Sequence, residues 1–253
     1  MKTIFITGGS TGIGAAVAKK FNQNNWRVII TSRNDKILNQ TKTSIIDHSS
    51  NKEIYCIPCD ISKRDEIHKA VKDIEKNIAP IDVALLNAAA YSPNKSQQFD
   101  IQNYNLLIDV NLKGTLNCIE ILEKQMRARK KGHIAIVSSP VGYRGLPTAG
   151  AYGMTKAGLI NLAESLYFDF KKIGIRMSVI NPGFIESAST NQNSFPMPFI
   201  KPASFAADKI FDGLTKTKRF EIKFPFFFLT ILKLTRILPY PIYFYLINKI
   251  TGL

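Results

Sequence analysis

The chain has 253 residues, 45% of them hydrophobic and 21% charged, enough for one large α/β domain and too few for a comfortable pair of catalytic domains. This ordinary composition excludes a disordered chain or a polytopic membrane protein. A formal charge of +15 calls for a polyanionic partner (a nucleic acid, an anionic membrane face or a phosphorylated cofactor), and the lack of a zinc-finger or RNA-binding signature argues against nucleic acid.

The first apolar run, Thr3–Thr7, meets Gly8 and Gly9 too early for a secretory signal, so a cytoplasmic location is expected. Helical periodicity follows over Ile13–Asn24, then strand Arg27–Thr31, helix Lys36–Asp47 and strand Glu53–Ile57. Within this stretch Cys56-Ile57-Pro58-Cys59 closes a strand instead of opening a helix. With Cys118 as the third cysteine it makes neither a disulfide framework nor a zinc set, and it suits a reducing compartment. The pattern continues with helix Arg64–Asn77, strand Val83–Asn87, and Asn103–Arg129, long enough for two helices. Strand His133–Ser138, helix Tyr152–Ile173 and strand Arg176–Asn181 complete it. Short buried-type strands alternating with helices predict an α/β fold: a single doubly wound, Rossmann-type parallel sheet with helices on both faces and a ligand crevice at the carboxyl ends of the strands. The expected division is a catalytic domain over 1–219 and a hydrophobic, basic C-terminal extension over 220–253.

The first strand runs into Thr7-Gly8-Gly9-Ser10-Thr11-Gly12-Ile13-Gly14 and an alanine-rich helix. Gly8 permits a tight turn, Gly12 lets backbone approach a pyrophosphate, and Gly14 lets the helix pack on the strand, with the helix N-terminus facing phosphate charge. The spacing G-x-x-x-G-x-G resembles the short-chain dehydrogenase/reductase family, and the resemblance extends over roughly residues 3 to 190. It implies a dinucleotide held by Gly8, Ser10, Thr11, Gly12, Ile13 and Gly14. At the end of the second strand, Thr31-Ser32-Arg33-Asn34 offers no acid to a ribose 2′-hydroxyl. Arg33 can instead bond a 2′-phosphate, which favours NADPH/NADP+. The resemblance places Asp60 and Ile61 beside the adenine, and Asn87, Ala88 and Ala89, followed by Ala90 where the family has glycine, beside the cofactor.

Tyr152-Gly153-Met154-Thr155-Lys156 sets a phenol and an ammonium four residues apart on one helix face, where the cation would lower the phenol pKa toward working pH. Ser139, ending the fifth strand, and Asn111 in Val110-Asn111-Leu112-Lys113-Gly114 complete the set found in the family. The resemblance implies that Tyr152 exchanges the proton, Ser139 orients the substrate oxygen, Lys156 bonds the nicotinamide ribose, and Asn111 holds a relay water. It also implies that Pro182, Gly183, Ile185 and Ser187 border the nicotinamide, that residues 188–202 close over substrate, and that the chain forms a dimer or tetramer. Phe195, Met197 and Phe199 suggest an apolar pocket there.

Beyond residue 220 the resemblance fades. A helix over Phe226–Leu238 would carry Thr230, Lys233 and Arg236 on one stripe amid phenylalanine, leucine and isoleucine. Three uses are open: attachment to an anionic membrane surface, a subunit interface or substrate lid, and a membrane span, against which Lys233, Arg236, Pro239 and Pro241 argue. The expected function is NADPH-dependent interconversion of a ketone and a secondary alcohol on a small hydrophobic, lipid-like or steroid-like substrate. The alternatives are a sugar, polyol or small-carbonyl dehydrogenase, and a non-catalytic NADPH-binding protein.

Overall fold

The computed structural model describes residues 1–92, 99–193 and 197–252; Phe195 lies outside them. Seven parallel strands form one sheet in the order β3-β2-β1-β4-β5-β6-β7. They are β1 Thr3–Thr7, β2 Arg27–Ser32, β3 Ile54–Pro58, β4 Val83–Leu86, β5 Gly132–Val137, β6 Ile175–Pro182 and β7 Glu221–Phe224. The first six fall within a residue or two of the apolar runs. The five inside the sheet are buried on both sides, so their sequences are continuously apolar instead of alternating, while β3 at the edge is half-buried.

Helices α1 Gly12–Gln23, α2 Asp35–Ile46 and α7 Ala203–Thr215 cover one face, where Val17, Phe21, Leu38, Ile210 and Leu214 join the core. Helices α3 Arg64–Asp73, α5 Gly114–Ala128 and α6 Gly150–Lys172 cover the other with Ile67, Val71, Leu122, Leu159 and Phe170. The stretch read as two helices is one helical run: α4 Ile101–Leu107 passes through a π-helical turn, Ile108–Lys113, into α5. Strand order reverses between β1 and β4, whose register pairs Thr7 with Leu86, and this opens the crevice at their carboxyl ends.

The tail differs from its expected form in three ways. Its first residues supply β7, which pairs with β6 from Val179↔Glu221 to Pro182↔Phe224. The sheet therefore extends past residue 219. The expected single helix is divided into α8 Phe226–Leu234, a 3-10 turn Thr235–Ile237, and α9 Tyr240–Thr251. Pro239 forces the break, since the residue before a proline is driven to extended backbone, and Leu238 has φ −69 and ψ 138. Lys233 does not join an outward polar stripe but folds back onto Glu221 at 2.7 Å. Among the described residues no helix is long and apolar enough to cross a membrane.

Candidate active site

The turn after β1 has the shape that an anionic ligand needs. Gly8 and Gly12 have φ of +64 and +54, in the left-handed region. A Cβ on Gly14 would stand 2.1 Å from the Gly8 carbonyl oxygen, so only glycine lets α1 start this close to the turn. The first turn of α1 holds no acidic residue, and the Thr11 side chain makes no capping bond. The N-terminal N–H groups and the positive end of the helix dipole thus have no competing carboxylate, and a pyrophosphate fits the cradle. Ser10 and Ile13 flank it half-buried, and the Ser10 carbonyl accepts a bond from the Thr41 hydroxyl at 2.8 Å.

Asn87 joins the two strands at the crevice. Its amide donates to the carbonyls of Thr7 and Gly8 at 3.1 Å each, and its N–H donates to the Thr7 hydroxyl at 3.0 Å. Ala88 takes part through its own N–H to the same hydroxyl at 3.1 Å, while Ala89 is exposed. Ala90 keeps φ out of the left-handed region, so glycine is not required there. Its N–H and C=O are both held by the Asn111 amide, at 2.7 and 3.1 Å. Arg33 stands exposed after β2 and makes no ion pair with the described residues, leaving its guanidinium available. Asp60 spends one oxygen on the N–H and hydroxyl of Ser62, at 2.9 and 2.7 Å, and keeps the other. The Ile61 and Ile185 side chains are 6% and 3% exposed and pack in the core, so only their backbone can border a ligand.

The loop after β6 closes the crevice from the other side. Pro182 ends the strand, and the Gly183 N–H donates to Phe224 at 2.8 Å. Ser187 and Thr190 bond one another, and Ser187 Cβ comes within 3.5 Å of where a Cβ on Gly12 would lie. Phe199 stacks at a tilt on Phe228 of α8, ring centres 5.4 Å apart, so this loop meets the tail. Met197 accepts a bond from the Asn193 amide at 3.3 Å.

At the bottom of the crevice Ser139, Tyr152 and Lys156 come together. Ser139 caps the short turn Pro140–Gly142 by accepting from the Val141 N–H at 3.4 Å, and its hydroxyl lies beside the Tyr152 phenol. The turn sits so tightly on α6 that a Cβ on Gly142 would meet the Lys156 carbonyl carbon at 2.7 Å. Lys156 is buried, donates from Nζ to the Val137 carbonyl at 2.9 Å, and lies 5.4 Å from the Tyr152 ring centre. Burial lowers its pKa from 10.5 to about 8. Burial first, and then the Tyr91 phenol, raise the Tyr152 pKa above its usual value against the Ser139 bond. The expected lowering by Lys156 is therefore not the arrangement found, because the ammonium is turned to a strand carbonyl. A phenol that stays protonated is the form that can give a proton to a substrate oxygen.

Asn111 occupies the π-helical turn, fully buried, and its amide also donates to the Thr155 hydroxyl at 3.1 Å. It ties the helical run to the β4 loop and to α6, and its carbonyl accepts from Thr115 at 2.7 Å. It makes no bond to Lys156.

Two participants have no signal in the chain order. Tyr91 sets its ring edge-on against Tyr152, centres 4.8 Å apart, and its hydroxyl donates to Asn193 across the crevice. Glu221 lies beneath the loop after Ser139, where it accepts from Tyr143 at 2.6 Å, Asn181 at 2.8 Å and Lys233 at 2.7 Å. Burial is the largest influence on its carboxyl and opposes ionisation, yet these three donors together hold it below the usual carboxylate range.

The family model described as short chain dehydrogenase matches residues 2–197. Carbonyl reductase family member 4 of Xenopus laevis is 34% identical over 194 residues, 75% of this chain and 78% of that protein. Among solved structures, a short-chain dehydrogenase from Sphingobium yanoikuyae in complex with NADPH superposes with a TM-score of 0.80 at 20% identity, covering 90% of this chain and 89% of that one. A 3-oxoacyl-[acyl-carrier protein] reductase from Brucella melitensis with bound NAD gives 0.77 at 24% identity, covering 88% and 87%.

Proposed function

Because the chain belongs to the short-chain dehydrogenase family, whose members are oxidoreductases, we propose that it is an NADPH-dependent reductase interconverting a ketone and a secondary alcohol on an apolar substrate. The observation that carries the reading is the half-buried Ser139–Tyr152 pair beside the buried Lys156 at the mouth of a phosphate-shaped turn. Bound there, NADPH supplies the hydride for the carbonyl carbon. Ser139 orients the carbonyl oxygen and Tyr152 delivers the proton to it, a contribution of about 10²–10⁴-fold in rate. Lys156 holds the nicotinamide ribose. Asn111, Asn87 and the backbone of the glycine loop keep the walls of the crevice in place, with Pro182, Gly183, the Ile185 backbone and Ser187 on the nicotinamide side. Arg33, unpaired and with no acid beside it on β2, favours the 2′-phosphate of NADPH over NADH.

The tail gives the reading its substrate class. Phe227, Ile237 and Ile250 are 82%, 80% and 78% exposed, large apolar side chains that the folded chain leaves in water. Beyond Asp212 the chain carries one acidic residue, Glu221, against seven lysines and arginines. Two such basic faces repel one another, whereas an anionic lipid surface complements both the charge and the apolar side chains. The tail therefore lies along the cytoplasmic face of a membrane, and the substrate is lipid-like. Leu116 on α5 and Met154 and Phe168 on α6 leave a separate apolar face for a dimer or tetramer.

The test is NADPH or NADH oxidation, followed by near-ultraviolet absorbance, against long-chain 3-oxo lipids, steroids and small polar carbonyls, with and without anionic liposomes. Faster turnover with NADPH, and with lipid ketones at the liposome surface, is expected. Activity on polar carbonyls alone, in a protein that ignores liposomes, removes the lipid assignment. A tail buried in a second copy would show as a dimer lost on mutating Phe227 and Ile237.

A further inference from the structure

The loop between the two catalytic hydroxyls is not free. It starts at Ser139, the residue that caps the turn Pro140–Gly142, and ends at Ala149, immediately before α6 and three residues before Tyr152. In it, Thr148 holds φ of +60, a conformation that a β-branched residue keeps only where its surroundings impose it. A turn closed by the Ala149 N–H on the Leu146 carbonyl at 3.3 Å, with Pro147 before Thr148, holds that end of the loop, and the tail holds its middle.

Arg144 makes the connection. Its guanidinium donates to the carbonyls of Thr235 and, at 2.9 Å, Leu238. These carbonyls stand at the break between α8 and α9, where Pro239 has no N–H to offer and a helix C-terminus concentrates negative partial charge. The same guanidinium lies over the rings of Tyr243, 3.9 Å away, and Tyr240, 5.1 Å away. Tyr243 is 3% exposed and returns a bond from its hydroxyl to the Gly145 carbonyl at 2.6 Å. Arg144 has no carboxylate partner among the described residues, so its charge is satisfied entirely by tail carbonyls and tail rings. One residue earlier, Tyr143 reaches Glu221 at 2.6 Å, and Lys233 of α8 lies 5.6 Å over its ring.

We propose that Arg144 is a positioning residue that fastens the α8–α9 tail to the loop between Ser139 and Tyr152, so that the tail sets where the two hydroxyls stand. A group acting through geometry changes the chemical step while leaving cofactor binding alone, because the glycine loop lies across the crevice from it. The inference rests on the reading of Ser139 and Tyr152 as catalytic residues.

The experiment compares the parent chain with Arg144→Ala, Arg144→Lys and Tyr243→Phe. In each, kcat, KM and the pH profile of kcat are measured with NADPH and a water-soluble ketone, alongside hydrogen exchange of residues 139–149. Arg144→Ala is expected to lower kcat by about tenfold to a hundredfold, the penalty of misplacing a reacting group by up to an ångström. NADPH affinity should stay unchanged, the Tyr152-dependent limb of the pH profile should move, and exchange in the loop should quicken. Arg144→Lys, which keeps a donor for the carbonyls, should recover part of kcat. A folded Arg144→Ala with parental kcat, pH profile and loop exchange overturns the proposal. If that variant does not fold, Arg144→Lys decides, since it keeps the charge but cannot fork to both carbonyls; fully parental kcat and exchange there overturn it too. If the parent reduces no carbonyl, the functional reading fails separately, and loop exchange alone still settles whether Arg144 orders the loop.

Discussion

Replacing Glu221 with alanine removes the one carboxylate that joins the sheet, the tail and the catalytic loop. Three donors then lose their acceptor. Lys233 is 39% exposed and recovers water, so its share is small. Tyr143 and Asn181 are 6% and 0% exposed and recover none. A buried polar group left without a partner costs about 1–3 kcal/mol, so the two together cost about 2–6 kcal/mol. For a domain of this size each kcal/mol lowers the melting temperature by about 2–4 °C, so Glu221→Ala should melt at least about 4 °C below the parent at pH 7. The pH dependence follows from the depressed carboxyl. Its contribution is present above the unfolded value of about 4.5 and is lost as the pH falls through the lower folded value. The gap between parent and variant should therefore narrow in acid, as followed by circular dichroism melts from pH 7 to pH 3. A variant within about 1 °C of the parent at pH 7, or a gap that does not change with pH, would refute the account of this network.

Further outcomes follow from single positions. Gly14→Ala puts a Cβ 2.1 Å from the Gly8 oxygen, which should cost about 1–3 kcal/mol and weaken NADPH binding by more than about tenfold in fluorescence titration. His133, buried against Ser178 with its pKa lowered to about 3 by burial and then Arg176, holds its neutral form. The stability it contributes is present above 6.5 and lost on acidification toward 3. In His133→Asn, urea midpoints should fall less steeply across that range than in the parent. Lys156, lowered to about 8 by burial, destabilises the fold below that pH and is relieved as pH rises toward 10.5. Lys156→Met should be no less stable than the parent at pH 7 while turning over at least about a hundredfold more slowly.

Six strands and most helices of the sheet are legible because a doubly wound fold writes each buried strand as an apolar run and each covering helix as a 3.6-residue period. The glycine turn and the Tyr152–Lys156 spacing are legible for the same reason, since both depend on neighbours in the chain. What lies beyond reach is tertiary. Glu221-Ile222-Lys223-Phe224 is only four residues long and merges into a phenylalanine run, so nothing marks it as the seventh strand. Lys233 looks like a surface charge until Glu221 is placed opposite it. Arg144 meets carbonyls more than ninety positions away, and Tyr91 meets Asn193 across 102. Ile61 and Ile185 occupy the motif positions but turn their side chains into the core, a choice of face that a motif does not record. The raised pKa of Tyr152 follows from its burial and from Tyr91, and the Lys156 ammonium is turned to the Val137 carbonyl, a direction that four-residue spacing leaves open.

The central claim is that Tyr152 delivers the proton during NADPH-dependent carbonyl reduction, and it is tested most directly by NADPH oxidation in the parent and in Tyr152→Phe under single-turnover conditions. Removing the phenol hydroxyl should leave NADPH affinity intact and slow the chemical step by about 10²–10⁴-fold. A phenylalanine variant that reduces the same ketone at the parental rate, with NADPH bound equally well, would contradict the account.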